Sequence, residues 1–140
     1  MGQKVELACI IDDDKIYVNL VKKIIEIKKL SKNLLIFKNG MEAFDHFKLI
    51  LENASEEKLP DIIFLDINMP VMDGWEFLNE FIKIKNNFEK KITLYVVSSS
   101  IDPRDLERAK SFNLVTDYLI KPIELKKFEK IFDRNGHAAA

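Results

Sequence analysis

Ile62-Ile63-Phe64-Leu65-Asp66-Ile67-Asn68-Met69-Pro70-Val71-Met72-Asp73-Gly74 is the stretch on which the fold turns. Its first four residues are continuously apolar, too short a run for a helix and without polar alternation, and they read as a strand buried on both faces. An acidic residue closes the strand, and Pro70 with Asp73-Gly74 supplies turn chemistry on the way into the next element. Beyond it, Phe77, Leu78, Phe81 and Ile84 recur at helical spacing. A strand covered on both faces needs helices above and below it, so this unit points to a parallel α/β sheet.

Working outward, the same unit repeats. Apolar runs occur at Val5–Ile11, Leu34–Phe37, Ile92–Val97 and Tyr118–Ile120 in addition to Ile62–Leu65. Between and after them lie helical spacings: Ile16, Leu20, Val21, Ile24 and Ile25; Met41, Phe44, Phe47 and Leu51; Leu106, Ala109 and Phe112; and Leu125, Phe128, Ile131 and Phe132. Strand then helix, five times over, predicts a five-stranded parallel sheet with helices on both faces, a doubly wound α/β fold. The polar piece Asn53–Leu59, ahead of Pro60, reads as a lengthened loop. A single domain over residues 1–134 is expected, with 135–140 as a frayed tail outside the fold.

With 140 residues, 47% hydrophobic and 32% charged, the chain has material for one core and no room for a second domain. Lys and Arg number 22 against 23 Asp and Glu, a net charge of -1, and the lysines fall in dispersed pairs such as Lys22/Lys23 and Lys126/Lys127. Neither a nucleic-acid stripe nor a basic membrane surface is present, so no nucleic-acid partner and no membrane insertion are expected. One cysteine, Cys9, lies in an apolar run and cannot form an internal disulfide. With no charged-then-apolar leader and no apolar run of roughly 18 residues, a cytoplasmic protein is the expectation.

In an open parallel sheet, ligands bind beyond the carboxyl ends of the strands, where the strand order reverses. The first strand ends in Asp12-Asp13-Asp14, the third in Asp66, the fourth in Ser98-Ser99-Ser100 and the fifth in Lys121-Pro122. If the first and third strands flank the reversal, Asp12, Asp13 and Asp66 share one shallow pocket. Carboxylates crowded in this way either take up a proton or hold a cation. Oxygen ligands without Cys or His select a hard ion, and Mg²⁺ fits best, with Mn²⁺ as an alternative. A carboxylate in such a pocket can attack phosphorus to give an acyl phosphate, and Ser98 and Lys121 have the hydroxyl and ammonium suited to the equatorial oxygens.

These elements together resemble the response-regulator receiver family: Asp12-Asp13 after strand one, Asp66 followed by Asn68-Met69-Pro70 and Met72-Asp73-Gly74, Ser98 after strand four, and Lys121-Pro122 after strand five. Each is weak alone; five in order, all at the same end of their strands, are specific. The resemblance spans Lys4 to Phe132. It implies a flavodoxin-like fold with strand order 2-1-3-4-5 and Mg²⁺ bound directly by Asp13, Asp66 and the Asn68 backbone carbonyl, with Asp12 acting mostly through water. Asp66 is implied as phosphoacceptor, Ser98 and Lys121 as phosphoryl ligands, Tyr118 as the switch aromatic, Asn68 and Ser100 as positions tuning phosphoryl lifetime, and the peptide before Pro122 as cis. It also implies a stand-alone receiver, a monomer or weak dimer, that catalyses only its own phosphorylation and dephosphorylation. A histidine kinase or phosphotransfer protein would supply phosphate, and a downstream protein would read the surface of helix 4, strand 5 and helix 5, including Asp105, Arg108, Tyr118 and Lys127. Ser replaces the more frequent Thr at position 98, and without the methyl its hydroxyl is less tied to one rotamer.

Plainer roles compete for several of these residues. Asp14 is read as the cap of the first helix, Ser99 and Ser100 as polar loop beside the lifetime role the resemblance gives Ser100, Trp75 as packing, His46 as surface, and Gly40 and Gly74 as turn residues. A haloacid-dehalogenase-like phosphatase is imitated by Asp12-x-Asp14 with a later Ser and Lys, but Lys15-Ile16 stands where that family has Gly-Thr, and the further acidic pair is missing. A flavodoxin-like binder lacks its Ser/Thr/Gly-rich phosphate loop after strand one. A receiver-like scaffold that never takes phosphate typically loses an acidic or Lys position, and all are kept here.

Overall fold

A computed structural model of the chain describes residues 5–136. Its elements alternate as expected: β1 (Val5–Ile11), α1 (Lys15–Lys28), β2 (Ser31–Phe37), α2 (Gly40–Glu52), β3 (Ile62–Leu65), α3 (Gly74–Lys85), β4 (Thr93–Ser98), α4 (Pro103–Lys110), β5 (Val115–Ile120) and α5 (Leu125–Gly136). The strands form one parallel sheet in the order β2-β1-β3-β4-β5. The reversal lies between β1 and β3.

Alternation along the strands splits the interior in two. Cys9, Ile11, Ile63, Leu65, Leu94 and Val96 face a core with Phe47 of α2 and Phe77 and Phe81 of α3. Ala8, Ile10, Ile62, Phe64, Tyr95 and Val97 face the other, built with Val18, Val21 and Ile25 of α1 and Phe128, Ile131 and Phe132 of α5. Each central strand thus buries both sets of side chains, which is why its sequence is continuously apolar. The rings interlock: Phe47 lies 5.3 Å from Phe81, and Phe64 5.3 Å from Phe128.

The outer strands are longer than their apolar runs. β2 begins at Ser31 rather than Leu34, and β5 at Val115 rather than Tyr118. Both are edge strands with an exposed side, so polar residues such as Lys32, Asn33, Thr116 and Asp117 fit their ladders and hide them from a reading by hydrophobicity. The Asn53–Leu59 piece contains a one-turn 3-10 helix, Glu56–Lys58, whose Glu56 Oε1 accepts from the backbone N–H groups of Glu89 and Lys90 at 2.9 and 3.1 Å. On α1 the buried stripe is Val18, Val21 and Ile25, whereas Ile16 and Leu20, expected inward, are 85% and 55% exposed. The α5 helix runs through Asn135, whose Nδ2 donates to the Ile131 carbonyl at 2.7 Å, so the ordered structure continues past the expected boundary at 134. The remaining tail, 137–140, and Lys4 lie outside the described residues.

Two further expectations need correction. Gly40 and Gly74 are first residues of α2 and α3, and no described glycine has positive φ. Their need is for space: a Cβ on Gly74 would lie 2.4 Å from the Asp66 carbonyl oxygen, and one on Gly40 2.8 Å from that of Met72. His46, expected at the surface, is only partly exposed. Its ring lies 5.2 Å from Phe37, its Nε2 is buried with no partner among the described residues, and burial, then Lys58, pull its pKa down. A ring tilted against Phe37 at the α2–β2 contact, with its charged form disfavoured by burial, packs as a neutral imidazole.

Candidate phosphoacceptor and metal site

The site is assembled by the ladder itself. One hydrogen bond past the end of three of the four strand pairings pulls their residues into register: Asp66 N donates to Ile11 O at 2.9 Å, Asp12 N to Phe37 O at 3.0 Å, and Lys121 N to Ser98 O at 2.9 Å. Parallel strands of matched register therefore deliver Asp12, Asp66, Ser98 and Lys121 to the same end of the sheet. Beneath Asp66, Gly74 N donates to Ile67 O at 2.9 Å, folding the β3–α3 loop against the strand end. The Asp73-x-x-Glu76 capping box starts α3 there, with Asp73 Oδ1 accepting from Glu76 N and Glu76 Oε1 from Asp73 N.

Oxygens of Asp12, Asp13 and Asp66 all lie within 4.8 Å of one another. Asp12 and Asp66 are buried, Asp13 is exposed, and Asn68 stands exposed two residues past Asp66. Asp14 turns away to cap α1, its Oδ1 accepting from Ile16 N and Tyr17 N, each at 3.1 Å. Among the described residues one cation faces the three carboxylates: Lys121 Nζ is 2.8 Å from Asp12 Oδ2 and 3.7 Å from Asp66 Oδ2. Negative charge is in excess. Burial first, and then the charge of Asp12, push the Asp66 carboxyl from its ordinary 3.8 up to about 6, while Lys121 and the Ile67 N–H on Oδ1 pull it back. A divalent cation would remove that penalty, and the donor set, oxygen only and partly open, suits a hard ion.

Ser98 is fully buried and its Oγ accepts from Ser100 N at 3.1 Å; Ser99 is exposed loop. Ser100 Oγ donates to Asp105 Oδ2 at 2.6 Å, and the Tyr118 hydroxyl donates to Ser100 O at 2.9 Å. The β4–α4 loop is thus tied both to α4 and to β5. The Lys121–Pro122 peptide is cis. Trp75 is buried as packing, stacked on Phe112 with Arg108 4.7 Å over its ring, so Arg108 serves α4 docking as well as facing outward. One neighbour of the site had not been singled out in the sequence: Tyr17, whose ring centre is 4.4 Å from Lys121 Nζ. Its signal was an aromatic residue in the first turn of the helix after the acidic run.

A doubly wound flavodoxin-like sheet with an acidic cluster and one lysine at its switch point defines the class. The family model described as the response regulator receiver domain matches residues 8–133, and the chain belongs to that family. It is 35% identical over 112 residues to the sensor histidine kinase CheAY of Helicobacter pylori, spanning 80% of this chain but 13% of the kinase. Among solved structures it is similar to a two-component response regulator from Cytophaga hutchinsonii, with a TM-score of 0.81, 28% identity and coverage of 95% of this chain and 98% of that one. It also resembles a phosphorylated cyanobacterial phytochrome response regulator, RcpA, with a TM-score of 0.74, 25% identity and 96% of each chain covered. The Mn²⁺-bound form of the response regulator Rcp1 matches with a TM-score of 0.65, 26% identity, 92% of this chain and 90% of that one. The chain is a receiver domain of the kind used in two-component and phosphorelay signalling. Among the described residues no helix is long and apolar enough to cross a membrane.

Proposed function

We propose that this receiver accepts a phosphoryl group on Asp66 from a phosphohistidine and uses it to change which protein it binds. The observation that carries the reading is the meeting of Asp12, Asp13 and Asp66 with the Lys121 ammonium at one end of the sheet. Asp13, Asp66 and the Asn68 carbonyl would hold Mg²⁺, or Mn²⁺, with Asp12 acting through water. The bound ion supplies positive charge for phosphoryl oxygens and relieves the carboxylate repulsion. A metal in Rcp1 and a phosphoryl group in RcpA, similar proteins both, support the same chemistry here.

An Asp66 carboxylate oxygen attacks phosphorus as the P–N bond to the donor imidazole breaks, and the leaving nitrogen keeps the bonding pair. Lys121 moves its charge from Asp12 toward a phosphoryl oxygen, and the Ser98 hydroxyl, rotated from its bond with Ser100 N, donates to another. Hydrolysis of the acyl phosphate later returns the carboxylate. Residues 68 and 100, flanking the site, set the lifetime. On this reading the domain catalyses its own phosphorylation and dephosphorylation.

Movement of Ser98 pulls on a loop already bonded to Asp105 and Tyr118, so phosphorylation shifts the population of arrangements of α4, β5 and α5, the face offered to a downstream protein. A histidine kinase or phosphotransfer protein is the donor, a reading supported by the likeness to part of the sensor histidine kinase CheAY. Incubation with Mg²⁺ and acetyl phosphate tests the reading. A covalent, alkali-labile adduct on Asp66 is expected; continuous phosphate release through Asp12 or no adduct at all overturns it.

A further inference from the structure

The ring of Tyr17 lies over the lysine that the site depends on, and nothing in the receiver pattern quoted above calls for it. Two features fix it there. Its backbone N–H is bonded to Asp14 Oδ1 at 3.1 Å, which ties the first turn of α1 to the acidic run. Its side chain also borders an apolar groove with Val21, Pro122, Ile123 and Phe128, joining α1 to the segment that follows Lys121. The ammonium is then held from two sides, by Asp12 Oδ2 at 2.8 Å and by the aromatic ring at 4.4 Å, with the Lys121 side chain only 14% exposed. An aromatic face attracts a cation without neutralising it or taking up its donors. It can therefore keep an ammonium in place while its hydrogen bond passes from one acceptor to another, which a second carboxylate could not do.

We infer that Tyr17 is a positioning residue for Lys121: its ring holds the ammonium beside Asp66 as the hydrogen bond to Asp12 is exchanged for one to the incoming phosphoryl group. The inference rests on Asp66 being the phosphoacceptor. It assigns the effect to the ring face and not to the phenolic hydroxyl, and it acts only through Lys121.

The test is the rate of Asp66 phosphorylation by acetyl phosphate and Mg²⁺ in the full chain, followed by intact mass. Tyr17→Leu, which still fills the groove, slows phosphorylation about fivefold, the worth of one partly desolvated cation–π contact. Tyr17→Phe and Tyr17→Trp keep the native rate. In a Lys121→Ala background, which phosphorylates more slowly, Tyr17→Leu has no further effect. A leucine variant as fast as wild type, or an equal loss with and without Lys121, overturns the inference. The Lys121 side-chain resonances in the unphosphorylated protein give a second reading: ring-current shifts present in wild type and Tyr17→Phe and lost in Tyr17→Leu. If wild type takes no phosphate on Asp66, the functional reading fails by itself, and absent ring-current shifts in wild type reject the positioning role separately.

Discussion

Two aspartates bracket β3, each paired with a lysine, and they behave as opposites. Asp61, just before the strand, has Lys90 Nζ at 2.9 Å on one oxygen and accepts from Glu6 N and Leu7 N at 3.1 and 3.0 Å on the other. Lys90 Nζ also donates to Leu59 O at 2.9 Å. Charge balances there and both carboxylate oxygens have partners, so no unanswered negative charge is left to hold a cation. Asp66, just after the strand, shares Lys121 with Asp12 and stands near Asp13, leaving more negative charge than one ammonium can answer. An Asp–Lys pair is therefore structural or functional according to the charge and lone pairs that remain once the pair has formed.

The largest contrast is chemical. Asp66→Asn should abolish the acyl phosphate outright while keeping the fold, whereas Asp61→Asn should phosphorylate at the native rate; intact mass after acetyl phosphate treatment reads both. Equal adduct on wild type and Asp66→Asn would erase the distinction between the two ends of the strand.

Metal should sharpen it next. Mg²⁺ at a hundredfold excess over its dissociation constant raises stability by about 2.7 kcal/mol if it binds only the folded chain. Thermal melts should show that gain in wild type and in Asp61→Asn, and should show it much reduced in Asp13→Asn. A gain that survives in Asp13→Asn would place the ion elsewhere.

Of similar size but opposite location is the cost of Asp61→Ala. It removes the charged acceptor from the Glu6 and Leu7 N–H groups at the start of β1, the second of them partly buried, and frees Lys90, for roughly 2 kcal/mol lost in urea unfolding. Lys90 and Asp61 are each about a quarter exposed, with side-chain values of 29% and 26%, so the ion pair itself is the smaller part of that loss.

The smallest effect is on pH. The Asp66 carboxyl is raised in the folded state from 3.8 to about 6. Between those values the folded chain retains a proton that the unfolded chain has released, so without metal this group makes stability fall as pH rises through the interval. Asp66→Asn should remove that slope in metal-free melts, and Asp61→Asn should leave it in place.

How far the site could be read in the sequence follows from the same physics. The central strands were legible because burial on two faces demands continuous apolar residues, and the polar strand ends because a parallel sheet collects its carboxyl ends on one side. Asp14 as a cap and Trp75 as packing followed from local position. The edges of β2 and β5 were not legible, since a half-exposed strand has no such demand. His46 misled because its helix neighbours are polar while the residue it meets, Phe37, comes from another element. Ile16 and Leu20 misled because helical period shows that a stripe exists, and only the angle at which α1 lies on the sheet decides which residues it buries.

By itself, then, the order of residues determined the alternating strand–helix architecture and the chemical inventory of the site, because both are written in local pattern: apolar runs, caps, and polar groups at strand ends. Tertiary structure alone decided that Lys121 bridges Asp12 and Asp66, that Tyr17 covers it, and that Gly74 is glycine for want of room against Asp66. Those are distances between segments far apart in the chain, set by sheet register and helix docking, and no local pattern encodes them.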